Sequence, residues 1–350
     1  MAPPASTTQR SQGPHGNPHT IAIQQVQQLL YGAQHRGLDT PALLRRAGIA
    51  PALLDAPLSR VTQAQCAALI AVLRHHLRDE LWGLCRHPLP PGSFALGCEL
   101  MADTRTLGEA LARGLRYYRL LLRDFVPRLQ LQGGVATLAL TGGDRSAPGP
   151  AFAERAFSFL AYGWVCWLVA RRVPLLSVDY PDSVLARSMD TTTLLQAPVV
   201  YGQPYTGWRF EARWLQLPVV QNQDSLRDFL REAPAQLLVR FRDRTRVTER
   251  IRSLFRKHLA GETPTLEEVS EQLALTPQTL RRRLREEAQT FRGIKEDLRR
   301  DAAIEYLART ELTLPEIAAR LGYSEASTFH RAFKHWTGLA PGAYRQTRLR

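Results

Sequence analysis

The sequence predicts an α+β N-terminal domain followed by an all-α C-terminal domain, in which two helix-turn-helix modules are joined by a linker helix. Three observations predict it. The 350 residues are enough for about two domains of ordinary size. Over the first two-thirds of the chain, apolar residues switch between a period of 3.6 and a period of 2, so helices and strands are interspersed. The last 88 residues contain an approximate repeat at an offset of 48 positions, and each copy reads as helix, turn, helix.

Taken in order, residues 1–19 are rich in Pro, Gly, Ser, Thr and Gln without an apolar run, which predicts a disordered leader and no secretion signal. Ile21, Ile23, Val26, Leu29 and Leu30 form an apolar stripe that predicts a helix from Ile21. Thr40-Pro41 starts a second helix that ends at Gly48, and a third runs from about Thr62 to Leu77. Thr106-Leu-Gly-Glu109 is a capping box opening a helix with Leu107, Ala110, Leu111, Leu115, Tyr118 and Leu122 on one side. Arg128 to Leu140, broken by Gly133-Gly134, predicts a hairpin. An apolar helix over 152–172 precedes a short strand, Leu175 to Tyr180, and Trp208 to Trp214 alternates as a half-buried strand should. The N-terminal domain is thus expected over 20–240. A charged helix from about Thr245 to Leu259 and the Gly261-Glu-Thr-Pro264 hinge make a linker over 241–262, and the second domain follows over 263–350.

Composition narrows the function. The net charge is +14, and half of that excess falls in the last 110 residues, so polyanion binding is to be sought there. Cys66, Cys85, Cys98 and Cys166 stand singly, which argues against a zinc site or a disulfide framework and for reduced thiols in a cytoplasmic protein. The longest apolar stretch, Ala156 to Ala170, is too short to cross a bilayer comfortably, so no membrane partner is expected. The chain has no GxSxG, Walker loop, strand-associated GxGxxG or HExxH, and His75-His76 point in different directions on a helix. No catalytic residue, metal or cofactor is therefore expected, and the chain reads as no enzyme.

The repeat carries the strongest signal. Thr265-Leu-Glu-Glu268 and Thr313-Leu-Pro-Glu316 are both capping boxes; Val269 matches Ile317 and Leu273 matches Leu321. New caps follow, Thr276-Pro277 in one copy and Ser324 in the other. After one inserted residue, Leu280 and Leu284 match Phe329 and Phe333, an i,i+4 pair that pins each second helix. With those pairs inward, the first helix presents Gln278, Arg281, Arg282 and Arg285. The second presents Ala326, Ser327, His330, Arg331 and Lys334. Arg suits guanine edges and phosphate, Gln and Ser bond base edges, and Ala fits against a thymine methyl. A run such as Arg281-Arg282-Arg283 is, in isolation, more often a solvated face; inside a duplicated helix-turn-helix it points to DNA. Phe291 to Arg309, one helix of 19 residues between the copies, would span about 28 Å. Successive major grooves on one DNA face lie roughly 34 Å apart, so one monomer would reach two of them.

These residues resemble the AraC/XylS transcriptional regulators across about 250–350. The resemblance rests on Leu280-Arg-Arg-Arg-Leu284, Leu298 to Leu307, Glu316-Ile-Ala-Ala-Arg-Leu-Gly-Tyr-Ser324, Phe329 to Gly338, Pro341 and Tyr344-Arg345. It implies base contacts at Gln278, Arg281 and Arg282, and at Ala326, Ser327, His330 and Arg331. One departure is Glu287-Ala288-Gln289-Thr290 where the family usually has Gly after the first recognition helix. The N-terminal region more weakly resembles the arabinose-binding-type sensor domain of the same family, through Leu43 to Gly48, Leu107 to Leu111, Arg116-Tyr-Tyr118 and Phe210 to Pro218. That resemblance implies an effector-sensing or dimerising domain and does not identify a sugar.

The expected function is therefore sequence-specific regulation of transcription by a ligand-responsive activator. Its partners would be double-stranded promoter DNA, RNA polymerase, a small-molecule effector and a second copy of the chain. Trp164, Trp167, Tyr117, Tyr118, Tyr162, Trp208 and Trp214 are candidates to line a pocket, but each is more readily a core aromatic; of Tyr117-Tyr118 only one can face inward. No ligand-binding residue follows from the sequence. The competing readings are a catalytic N-terminal half and architectural DNA binding without an effector.

Overall fold

In the computed structural model, Ile21 lies in a strand. Thr20–Ala22 (β1) pairs antiparallel with Arg60–Thr62 (β2), Ile21 opposite Val61, and α1 begins only at Ile23 (Ile23–His35). The sequence reading started the helix two residues too early because Ile21 and Ile23 stand two apart, a spacing that suits a strand and not a helix face. The structure describes residues 20–144, 148–181, 195, 197–232, 247–257, 264–287, 289–308 and 311–346. The expected leader over 1–19 and Gly261, Glu262 and Thr263 of the expected hinge lie outside them.

Three further N-terminal helices match the sequence signals. Helix α2 (Thr40–Arg46) is capped by Asp39, whose carboxylate accepts from the Ala42 N–H at 2.9 Å. Helix α3 (Gln63–Leu77) opens on a complete capping box between Thr62 and Gln65. In α5 (Leu107–Leu121) the Thr106 hydroxyl accepts from Glu109 N, but the Glu109 carboxylate reaches back one residue further, to Arg105 N. Between them lies α4 (Ser93–Ala102), which the sequence reading missed: its cap is Gly92, with no side-chain bond, and its apolar residues form no narrow stripe.

A five-stranded sheet follows, in the order β3-β4-β7-β5-β6. Strands β3 (Val126–Gln132) and β4 (Val135–Thr141) are the expected hairpin, and Gly133 and Gly134 both take positive φ, 56° and 77°, as a type I′ turn requires. Helix α6 (Pro148–Leu168) is the apolar helix. It packs on β7 (Thr206–Glu211), where the Trp208 indole donates to the Ser158 carbonyl at 3.2 Å and the Thr206 hydroxyl to Glu154 at 2.8 Å. Strand β5 (Leu175–Asp179) is antiparallel to β7 and parallel to β6 (Val199–Val200). The alternation that suggested a strand to Trp214 ends sooner: Ala212–Gln216 is a 3-10 turn, and Trp214 lies between the guanidinium groups of Arg171 and Arg213, 5.1 Å from each. A second helix absent from the sequence reading, α7 (Gln223–Glu232), is capped by Asn222 and buries Leu226, with Phe229 and Leu230 packed beside it.

The candidate pocket aromatics largely pack on one another. Tyr118 stacks on Trp164 at 4.9 Å between centroids, Phe157 meets both edge-on, and Tyr162 meets Trp208. Tyr118 is buried and Tyr117 half-buried, as one helix face demands. The four cysteines are free and buried, and burial pushes the Cys66 thiol up to about 12. Among the described residues, no helix is long and apolar enough to cross a membrane.

The C-terminal part is all helix: α8 (Val247–Lys257), α9 (Leu266–Gln272), α10 (Pro277–Glu286), α11 (Phe291–Leu307), α12 (Leu314–Arg320), α13 (Ala326–Thr337) and α14 (Pro341–Gln346). It has two cores. Val247, Ile251 and Phe255 of α8 pack with Val269, Leu273, Leu280, Leu284, Ile294 and Leu298 around the first module. The second half of α11, through Ala303, Ile304 and Leu307, packs with Ile317, Leu321, Phe329, Phe333 and Tyr344, and this core is continuous with the N-terminal domain. At the junction the Thr20 hydroxyl donates to Asp301 at 2.6 Å and accepts from Arg60 Nε at 2.7 Å, and the Tyr344 hydroxyl donates to the Arg60 carbonyl.

Candidate nucleic-acid interface

Each module is built by the same local rules. In the first, Thr265 caps α9 reciprocally with Glu268; in the second, Thr313 caps α12 reciprocally with Glu316. The intervening turns close by equivalent hydrogen bonds, Leu275 N to Ser270 O at 2.9 Å and Tyr323 N to Ala318 O at 3.0 Å. Both turns need a left-handed residue: Gly322 supplies it at φ 74° in the second, and Ala274 takes it at φ 54° in the first. The sequence repeat is thus a repeat of backbone geometry.

The second helices start differently. Thr276 caps α10, accepting from Thr279 N at 3.2 Å, with Pro277 at the first position. The expected cap Ser324 does not serve α13: its N-cap is Glu325, without a side-chain cap bond. The inserted residue that moves the repeat offset by one falls at this junction and carries the helix start past Ser324. Glu325 instead accepts from the Ser327 hydroxyl at 3.0 Å.

The inward pairs are as expected. Leu280, Leu284, Phe329 and Phe333 are buried. Around them Gln278, Arg281, Arg282 and Arg285 are exposed on α10, and Ser327, Arg331 and Lys334 are exposed on α13. Ala326 and His330 are half-buried, Ala326 against the core and His330 beside the Phe329 ring. Seven of the nine predicted positions therefore lie on two outward faces, one per module, with Ala326 and His330 at the edge of the second. Arg283 and His335 are exposed there too.

Two carboxylates that the sequence reading passed over touch these faces. Glu267, on the first helix of its module, stands 3.8 Å from Arg281, with both side chains more than half exposed. An exposed pair of that length is worth little and yields readily to a phosphate. Glu325 holds the Ser327 hydroxyl. The signal for both was their position: Glu267 is in the first turn of the helix preceding α10, and Glu325 is the N-cap of α13 itself.

The Glu287 departure has a structural use. Its carboxylate accepts from the backbone N–H groups of Val247, at 3.1 Å, and Thr248, at 3.0 Å, and so caps the N-terminus of α8. A negative group there also meets the positive end of the helix dipole. Helix α10 ends without a left-handed residue at Glu287, φ −89°.

Two capped helix-turn-helix modules with cationic outward faces define a DNA-binding protein, and comparison with known proteins gives its class. The arabinose-binding N-terminal domain of AraC transcription regulators matches residues 37–219, and a helix-turn-helix domain matches residues 269–347. The chain belongs to the AraC family of DNA-binding transcriptional regulators. It is 25% identical to the ornithine utilization regulator of Pseudomonas aeruginosa over 339 residues, 93% of this chain and 96% of that protein. Over 99 residues, 28% of this chain and 29% of the relative, it is 38% identical to the transcriptional regulator VirS of Mycobacterium tuberculosis. The crystal structure of the regulator CdpR from Pseudomonas aeruginosa aligns over 92% of this chain and 98% of its own, at 20% identity and a TM-score of 0.30.

Proposed function

We propose that the chain is a ligand-responsive activator that reads a promoter through two adjacent major grooves. The observation that carries this reading is the pair of outward faces: each recognition helix is pinned by two buried side chains and offers hydrogen-bonding and cationic groups to solvent. Gln278, Arg281 and Arg282, with Ala326, Ser327, His330 and Arg331, are the base-edge candidates. Arg285 and Lys334 are the flanking, phosphate-directed ones. Helix α11, at 17 residues, spans about 26 Å, a length that suits modules seated in grooves roughly 34 Å apart.

In this reading the N-terminal domain senses a small molecule, dimerises, or does both, and RNA polymerase is the downstream partner. The protein acts where the chromosome is, and its N-terminal half has no catalytic part. An effector shifts activity only by preferring one of two domain arrangements. The Thr20–Asp301 and Tyr344–Arg60 contacts are features of the arrangement described above, and a second arrangement would have to break them.

Hydroxyl-radical footprinting of the full chain on DNA upstream of its own gene tests the two-groove reading. Two protected patches on one face, about 10 base pairs apart, are expected for each bound monomer. A single patch contradicts it.

A further inference from the structure

Apart from Arg155, the described buried charges of the N-terminal domain, Asp79, Glu154 and Asp179, each accept hydrogen bonds from the protein, Glu154 through one of its two oxygens. Asp179 accepts from Ser177, Tyr205 and Arg209; Asp79 accepts from the backbone of Leu81, Gly83 and Leu89; Glu154 accepts from Thr206. Arg155, on the middle of α6, is the exception. It is 3% exposed, yet its Nε and one terminal nitrogen are buried without any hydrogen-bond partner, and no described carboxylate pairs with it. Burial accordingly draws its pKa below the usual arginine value, while the neighbouring Tyr180 and Glu154 act in the opposite sense.

A buried guanidinium with empty N–H groups is costly, and proteins retain such a group chiefly where something else completes it. The surroundings say what. One turn along α6, the Ser158 hydroxyl is also buried and unpartnered, so both groups lie on the same helix face. The Phe152 ring lies 5.8 Å from the guanidinium carbon. Tyr180, one residue past β5, acts electrostatically on the guanidinium from another part of the fold. This is a cationic fork, a hydroxyl donor and an aromatic wall, buried with Glu154 and Tyr180 close enough to act on the charge.

We propose that this face of α6 is an effector site for a small organic carboxylate, whose two oxygens take the Nε and terminal N–H groups of Arg155 as a bidentate pair while Ser158 donates to one of them. The planar fork of Arg matches a carboxylate in this way and matches no neutral group as well. The proposal rests on the N-terminal domain being the sensor and adds the chemical class of what it senses.

The test is thermal melting of the full-length protein with matched pairs: octanoate against octanamide, benzoate against benzamide, and L-ornithine against 1,4-diaminobutane. At least one carboxylate should raise Tm where its carboxylate-free partner does not. Arg155→Met should weaken that carboxylate at least tenfold, and Ser158→Ala by about threefold, the worth of one hydrogen bond. Without carboxylate, Arg155→Met should melt at or above the parent temperature, because an unpaired buried charge has been removed. Four results would overturn the site: no carboxylate raises Tm, the neutral partner raises it equally, Arg155→Met retains the shift, or Arg155→Met melts lower or fails to fold. The last would mean that the protein itself already pairs the guanidinium. Gel-shift of the parent protein on its upstream DNA separates the two claims. Failure there sinks the regulator reading, whereas intact DNA binding with no carboxylate response sinks only the effector site.

Discussion

At the scale of single residues, recognition depends on which outward side chains read bases and which only hold phosphate. Arg282 lies exposed on α10, next in sequence to Arg281, which already has Glu267 within 3.8 Å. Arg282→Ala should weaken binding to the specific site by about 1–3 kcal/mol while changing binding to random DNA much less; competition gel-shift measures both. Equal loss on the two DNAs would make it a phosphate contact. The left-handed turn residue gives a stability prediction. Ala274 sits at φ 54° where its repeat partner is Gly322 at φ 74°. An L side chain pays a steric cost there that glycine avoids, offset in part by the greater freedom of glycine in the unfolded chain. Ala274→Gly should therefore stabilise the protein by about 0.5–1 kcal/mol, read from urea melts. The identities of the outward residues were fully legible in the sequence, because once Leu280, Leu284, Phe329 and Phe333 are placed inward the helical period fixes the rest. Arg155 was not legible. It sits in an apolar helix beside Glu154, and only the structure reveals that Glu154 bonds Thr206 while the Nε and one terminal nitrogen of Arg155 are buried without a partner.

At the scale of elements, helix ends decided what the sequence could reveal. Thr62, Thr265 and Thr313 announce their helices because each capping box is local, spans four residues and is reciprocal. Helix α4 is capped by Gly92 without a side-chain bond and has no local signature, whereas α7 has one that was passed over, an Asn222 cap followed by Leu226, Phe229 and Leu230 on one face. The start of α13 at Ala326 was misplaced for a related reason: Ser324 is a good cap by type, but one inserted residue carries the helix past it. Glu287 is the reverse case, a residue that departs from a pattern because it caps a different helix. Its two bonds to Val247 and Thr248 join residues about forty positions apart, and no local pattern shows that. Glu287→Ala should cost about 1–2 kcal/mol through loss of the α8 cap. Hydrogen exchange at the first turn of α8 should rise more than at α12. Unchanged exchange at α8 would show that the cap does not hold that end.

At the scale of the whole molecule, the two modules are not equivalent. The first has its own core with α8, while the second shares a continuous core with the N-terminal domain. Helix α11 belongs to both and carries a chain of polar contacts between them. Asp301 meets Thr20 of β1, Arg300 meets both Asp301 and Asp297, and Asp297 stands 3.6 Å from Arg252 of α8. Of the linker and hinge expected over 241–262, residues 241–246 and 258–262 lie outside the described residues; the described contacts between the domains run through β1, β2, α11 and α14, whose partners are some 280 residues apart. Such pairings leave no local trace, which is why the domain order was legible in the sequence and these long-range contacts were not.

The net charge of +14 belongs to this scale too, with half of its excess in the last 110 residues and the cationic side chains of two recognition helices facing solvent. The central claim is that these faces bind DNA. A salt titration of full-length protein on its own upstream DNA tests it most directly. If several of Arg281, Arg282, Arg285, Arg331 and Lys334 meet phosphate or bases, the logarithm of affinity falls linearly with the logarithm of salt, with a slope of about −0.9 for each phosphate neutralised. A steep fall is the predicted result, and an affinity that does not change with salt would contradict it.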